Sequence, residues 1–129
     1  MLVDKRMIHL DTNFLIQSLL PGTRSAVQLQ TWVSNGEELG ISTIAWSEFL
    51  CGPLKPSDSV LAQTFLSPPE SLLTQDAEKA AELFNATGRR SRSLADCQIA
   101  AVALRCGAKL ATVNNSDFAV FKNHGLILL

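Results

Sequence analysis

Met7-Ile8-His9-Leu10-Asp11-Thr12-Asn13-Phe14-Leu15-Ile16 decides the fold. Met7 to Leu10 is apolar on alternate and intervening positions, which suits a strand buried on both faces. Asp11 ends that run. Phe14-Leu15-Ile16 and Leu19-Leu20 then follow helical spacing until Pro21-Gly22 stops them. The pattern repeats downstream. Thr23 caps a helix through Val33, and Asn35-Gly36 closes it. Leu39 to Ser42 reads as a short strand and Thr43 to Cys51 as a helix.

Beyond Gly52 the chain is rich in proline. There Ser57 is expected to cap a short helix with Val60, Leu61, Thr64 and Phe65 on one side. Ser71 to Thr74 is expected as a brief strand, and Asp76 to Thr87 as a helix with Ala77, Ala80, Ala81 and Phe84 as its apolar stripe. Leu94 to Arg105 is an alanine-rich helix, Lys109 to Val113 a strand, Asp117 to Phe121 a short helix and Leu126 to Leu129 a last strand. Strands alternating with helices predict an α/β fold with a mostly parallel sheet. Ligands in such sheets bind beyond the carboxyl ends of the strands. Asp11 falls at one such end and Asp117 follows another.

The 129 residues are expected to form a single domain, residues 1–129. With 47% apolar and 18% charged residues the chain is too apolar to be disordered. A net charge of −1 gives no global basic field of the kind that advertises a nucleic-acid binder. Three cysteines without a C-x-x-C pair fit a reducing compartment, so a cytoplasmic protein is expected. No signal-like segment or membrane-length apolar run is present.

Four acids stand where elements begin or end: Asp11, Glu48, Asp96 and Asp117. Each has an ordinary structural use. Asp11 and Asp117 suit helix caps, Glu48 an exposed helix position, and Asp96 a capping box with Ser93. Gathered in one place, they would repel. Two unit charges about 5 Å apart cost roughly 3 kcal/mol at an effective dielectric near 20. A divalent cation relieves that cost, and all-oxygen donors favour Mg²⁺ or Mn²⁺ over zinc. Thr12, Asn13, Thr112 and Asn114 flank the acids with groups able to orient carboxylates and water. Arg89, Arg90 and Arg92 form the one tight basic cluster; they suit either a solvated loop or phosphate contacts. His9 reads as a core histidine, and a zinc site or a cysteine nucleophile lacks support. Spacing alone does not bring the four acids together.

Four stretches in order make the pattern specific: His9-Leu10-Asp11-Thr12-Asn13, Ile41-Ser42-Thr43-Ile44-Ala45-Trp46-Ser47-Glu48-Phe49, Leu94-Ala95-Asp96-Cys97-Gln98-Ile99-Ala100-Ala101, and Leu110-Ala111-Thr112-Val113-Asn114-Asn115-Ser116-Asp117-Phe118. In these the chain resembles the PIN-domain family and, within it, the VapC-type toxin ribonucleases of toxin–antitoxin pairs. The resemblance implies a three-layer α/β fold whose sheet carries the four acids at one end. It implies endonucleolytic cleavage of RNA with Mg²⁺ or Mn²⁺, with Asp11 and Asp96 as metal ligands and Glu48 and Asp117 completing the site. Arg89, Arg90 and Arg92 would then hold the RNA backbone. The resemblance also implies a cognate antitoxin and a homodimer. The rival expectations are a PIN nuclease of RNA processing without an antitoxin, and a binding module of the same fold without turnover.

Overall fold

A computed structural model of the chain describes residues 7–87 and 94–129. Its centre is the strand expected at the start. β1 (Ile8–Leu10) is buried at every position, because it has a neighbour on each side. It pairs in parallel with β2 (Leu39–Gly40) and with β3 (Lys109–Ala111), giving the order β2-β1-β3. The register sets Ile8 against Leu39 and Lys109, and Leu10 against Ala111. Gly40 lies opposite His9. A Cβ there would come within 2.7 Å of Met7 Sδ and 3.1 Å of the His9 ring, so any larger residue would have to displace these side chains.

The helices around this sheet are α1 (Thr12–Ser18), α2 (Arg24–Ser34), α3 (Thr43–Cys51), α4 (Pro56–Phe65), α5 (Thr74–Ala86), α6 (Leu94–Arg105) and α7 (Asn115–Phe118), the last running into a 3₁₀ segment, Ala119–His124. Among the described residues the fold is thus a three-stranded parallel sheet flanked by seven α-helices, as the alternating pattern predicts. α1 packs on α2 and α3, and α6 packs on α5, α3 and β3. The alanines of α6 explain its place. Cys97, Ile99, Ala100, Ala101, Val102 and Ala103 are all buried, and their small side chains let neighbours approach from several directions.

Several local expectations are corrected. α4 starts at Pro56, not after Ser57: Pro56 has no N–H to leave unpaired, and Asp58 accepts a hydrogen bond from the Lys55 N–H. Its buried residue is Ala62, whereas Val60 and Leu61 are 64% and 50% exposed. The strand expected at Ser71 to Thr74 shrinks to a bridge between Glu70 and Ser42. Asp76 accepts the Leu73 N–H at 2.9 Å and so starts α5 at Thr74. The last strand is one bridge, Leu110 with Leu128. α7 begins before Asp117, with Asn114 as its N-cap.

From β1 the chain crosses to β2 on one side, while β3 lies on the other. The carboxyl ends of β1 and β3 therefore flank a point where connections diverge, the usual place for a crevice in an open parallel sheet.

Candidate active site

Asp11 leaves β1 with its backbone N–H bonded to the Ala111 carbonyl at 3.0 Å. It is also the N-cap of α1. Its Oδ1 accepts the Phe14 N–H at 2.7 Å. Its Oδ2 accepts a short hydrogen bond from the Thr112 hydroxyl, and Thr112 Oγ1 in turn accepts the Asn114 N–H at 2.9 Å. Capping and site-building are thus one arrangement. Asp11 is 4% exposed. Burial pushes its carboxyl above the ordinary range, the Thr112 and Phe14 hydrogen bonds oppose that, and the charges of Glu48 and Asp117 add to it.

Glu48 projects from α3, exposed, and its Oε1 accepts the Thr12 hydroxyl at 2.8 Å. That hydroxyl has one proton, and the Ala45 carbonyl at 3.3 Å is the more distant acceptor. Asp96 stands in the first turn of α6, half-buried. Asp117 is the third residue of α7.

All four acids line one small cleft of about 150 Å³, together with Thr12, Asn13 and Asn114. Thr112 lies behind the wall and acts through Asp11. Two apolar residues also line it: Ile99, one helical turn after Asp96, and Phe118, beside Asp117. These two were missed in the sequence, although i and i+3 on a helix share a face. His9 is buried with its Nε2 3.2 Å from Met7 Sδ and does not line the cleft, in keeping with a core histidine. Arg89, Arg90 and Arg92, and Ser93 of the expected capping box, lie outside the described residues.

The donor set suits a hard divalent cation, for the side chains lining the cleft offer carboxylate, amide and hydroxyl oxygens and neither sulfur nor imidazole. Among the described residues no three His, Cys, Asp or Glu side chains already enclose a single point. A hydrated ion held by one or two carboxylates needs no such cage.

The family profile of the PIN domain matches residues 8–123. The chain belongs to the PIN-domain family. Solved structures share the fold across nearly the whole length. VapBC2 from Rickettsia felis, bound to a DNA fragment from its promoter, superposes with a TM-score of 0.76 at 20% identity, covering 95% of this chain and 97% of that one. FitAcB from Neisseria gonorrhoeae gives 0.71 at 19% identity, covering 95% and 96%. A toxin–antitoxin complex from Klebsiella pneumoniae gives 0.67 at 29% identity, covering 87% and 90%. No curated protein sequence matches the chain. Among the described residues no helix is long and apolar enough to cross a membrane.

Proposed function

We propose that this PIN domain is a metal-dependent endoribonuclease, the toxin of a toxin–antitoxin pair, working in the cytoplasm as one nuclease domain. The observation that carries the reading is the cleft itself: four carboxylates from four separate elements line about 150 Å³ at the carboxyl end of β1. Membership of the family supports a nuclease. The similar Klebsiella structure is a toxin–antitoxin complex, which supports an antitoxin as the partner. A homodimer is part of the same proposal.

Asp11 and Asp96 would hold Mg²⁺ or Mn²⁺, and Glu48 and Asp117 would complete the acidic ring. When bound, the cation lowers the pKa of the attacking water and offsets charge on the phosphate. The protein's own part is orientation. Thr112 and the Phe14 N–H fix both oxygens of Asp11, so its free lone pairs keep one direction. Thr12 holds Glu48 across the cleft mouth, where its carboxylate can accept a proton from water entering beside the phosphate. Asn13 and Asn114 offer amides to water and to phosphate oxygens.

The test is cleavage of single-stranded RNA by purified, antitoxin-free protein. Cutting should require Mg²⁺ or Mn²⁺ and stop in EDTA. Asp11→Asn, Glu48→Gln, Asp96→Asn and Asp117→Asn should each lower it by roughly a hundredfold or more, on the scale of lost electrostatic stabilisation. Induced expression should arrest growth, and the neighbouring gene should relieve the arrest. Full activity in EDTA overturns the metal mechanism; growth arrest that no neighbouring gene relieves overturns the toxin assignment.

A further inference from the structure

The wall of the acidic cleft has a second side. Asn13 and Asn114 line the cleft, while Phe14, Thr112 and Asn115 line a separate hollow of about 320 Å³. The start of α1 and the turn after β3 therefore stand between the two. The second hollow is polar and also holds Arg24, Gln17 and Gln28. The Arg24 side chain forms no ion pair or hydrogen bond among the described residues, whereas Arg105 is committed to Asp76 and Glu70 and Lys79 to Glu82. Arg24 is also the first residue of α2. A cation in that position opposes the helix dipole, at a cost of about 0.3–1 kcal/mol, so the stability of α2 does not account for it.

We propose that this hollow is a subsite for the nucleotide next to the bond being cut, with Arg24 on its phosphate and Gln17, Gln28 and Asn115 on its base. The inference rests on the ribonuclease reading and says where that substrate is held. The acidic cleft repels a polyanion, and the net charge of −1 supplies no attraction at a distance. Affinity for RNA must come from local cations, and among the described residues Arg24 is the basic side chain in a hollow that shares a wall with the cleft. Arginine meets phosphate with paired N–H donors. A carboxamide offers a donor and an acceptor side by side, which matches the edge of a base. Single-stranded RNA presents both groups at once.

The experiment is steady-state cleavage of short single-stranded RNAs in Mn²⁺ across a salt series. Arg24→Ala should raise KM about fivefold or more with kcat little changed. It should also flatten the dependence of log kcat/KM on log salt by about 0.7, the share of one phosphate contact on a single strand. Arg24→Lys keeps the charge and should keep the slope. The double variant Gln17→Ala/Gln28→Ala should leave the slope alone and change the relative rates on RNAs that differ beside the cut. Arg24 is exposed and opposes the dipole of α2, so the Arg24 variants should melt no lower than the parent. Unchanged KM and slope in Arg24→Ala, with an active parent, overturn the subsite alone. A parent that cuts no RNA overturns the reading beneath it. If Arg24→Ala weakens antitoxin binding and leaves RNA kinetics intact, the hollow belongs to an acidic protein segment and the subsite is wrong.

Discussion

Thr112, just past β3, donates a hydrogen bond from its hydroxyl to Asp11, just past β1. The parallel register that sets Leu10 beside Ala111 places the next residue of each strand together, so the sheet itself builds the pair. Thr112→Val keeps the shape and removes the donor. Asp11 Oδ2 then loses a partner in a buried place, and the Asn114 N–H loses one in a half-buried place. The expected loss is about 1–3 kcal/mol of stability. Cleavage should fall roughly tenfold or more, because one oxygen of Asp11 is no longer held. Thr112→Ser should recover most of both. The checks are denaturant unfolding and RNA cleavage for all three proteins; a Thr112→Val protein with parental activity would reduce the pair to a structural bond.

That pair also shows what a sequence can and cannot tell. Asp11 is legible because a buried strand, an acid and a helix follow one another directly. Its partner is legible only as a threonine after another strand; the register that joins them depends on β1 being central. The convergence of Glu48, Asp96 and Asp117 likewise depends on how α3, α6 and α7 pack, which periodicity within each helix does not contain. In α4 the apolar positions mislead. Val60 and Leu61 stay exposed while Ala62 is buried, because the side of the helix that meets the core is set by the neighbours it packs against. Arg24 escapes notice for a simpler reason. A lone cation leaves no cluster in the sequence, and its significance lies in sharing a hollow with Thr112 and Asn115.

His9 predicts a pH dependence of stability. Burial lowers its pKa from 6.5 to about 4, Glu70 opposes the shift and Arg105 adds to it. The unfolded chain thus takes up a proton that the folded chain refuses between pH 6.5 and about 4. Stability should be complete above this window and fall as pH drops through it, by about 3 kcal/mol from this residue at the acid end. His9→Gln should flatten that limb. Urea unfolding at stepped pH measures it, and parallel curves for the two proteins would remove His9 as the source.

Arg105 and Asp76 predict a coupled loss. Arg105 Nε lies 3.0 and 2.9 Å from the two oxygens of Asp76, and its Nη2 reaches the Ser71 carbonyl and Glu70, both at 3.1 Å. Asp76 is 1% exposed. Arg105→Met strands a buried carboxylate and should cost about 3–5 kcal/mol. Asp76→Asn combined with Arg105→Met should cost clearly less than the two single changes added together. A double-mutant cycle by denaturant unfolding gives the answer; additive losses would mean that the two charges do not depend on one another.

The acidic cleft predicts stabilisation by metal. Folding holds Asp11 near the charges of Glu48 and Asp117, and the unfolded chain can separate them. A cation that binds only the folded form stabilises it by mass action, by about 1.4 kcal/mol at ten times its dissociation constant. In a domain of this size that raises Tm by roughly a few degrees. Asp96→Asn should lose most of the shift. In EDTA two effects of the lost charge oppose each other: relief of repulsion in the cleft favours the fold, and loss of a negative charge in the first turn of α6 disfavours it by about 0.3–1 kcal/mol. Thermal unfolding of both proteins in EDTA and through a Mn²⁺ titration separates these terms. Equal metal-induced shifts in the two would take Asp96 out of the site. If Mn²⁺ binds the parent yet moves its Tm not at all, the cation is not held by the folded cleft, and the four carboxylates share a wall without sharing a ligand.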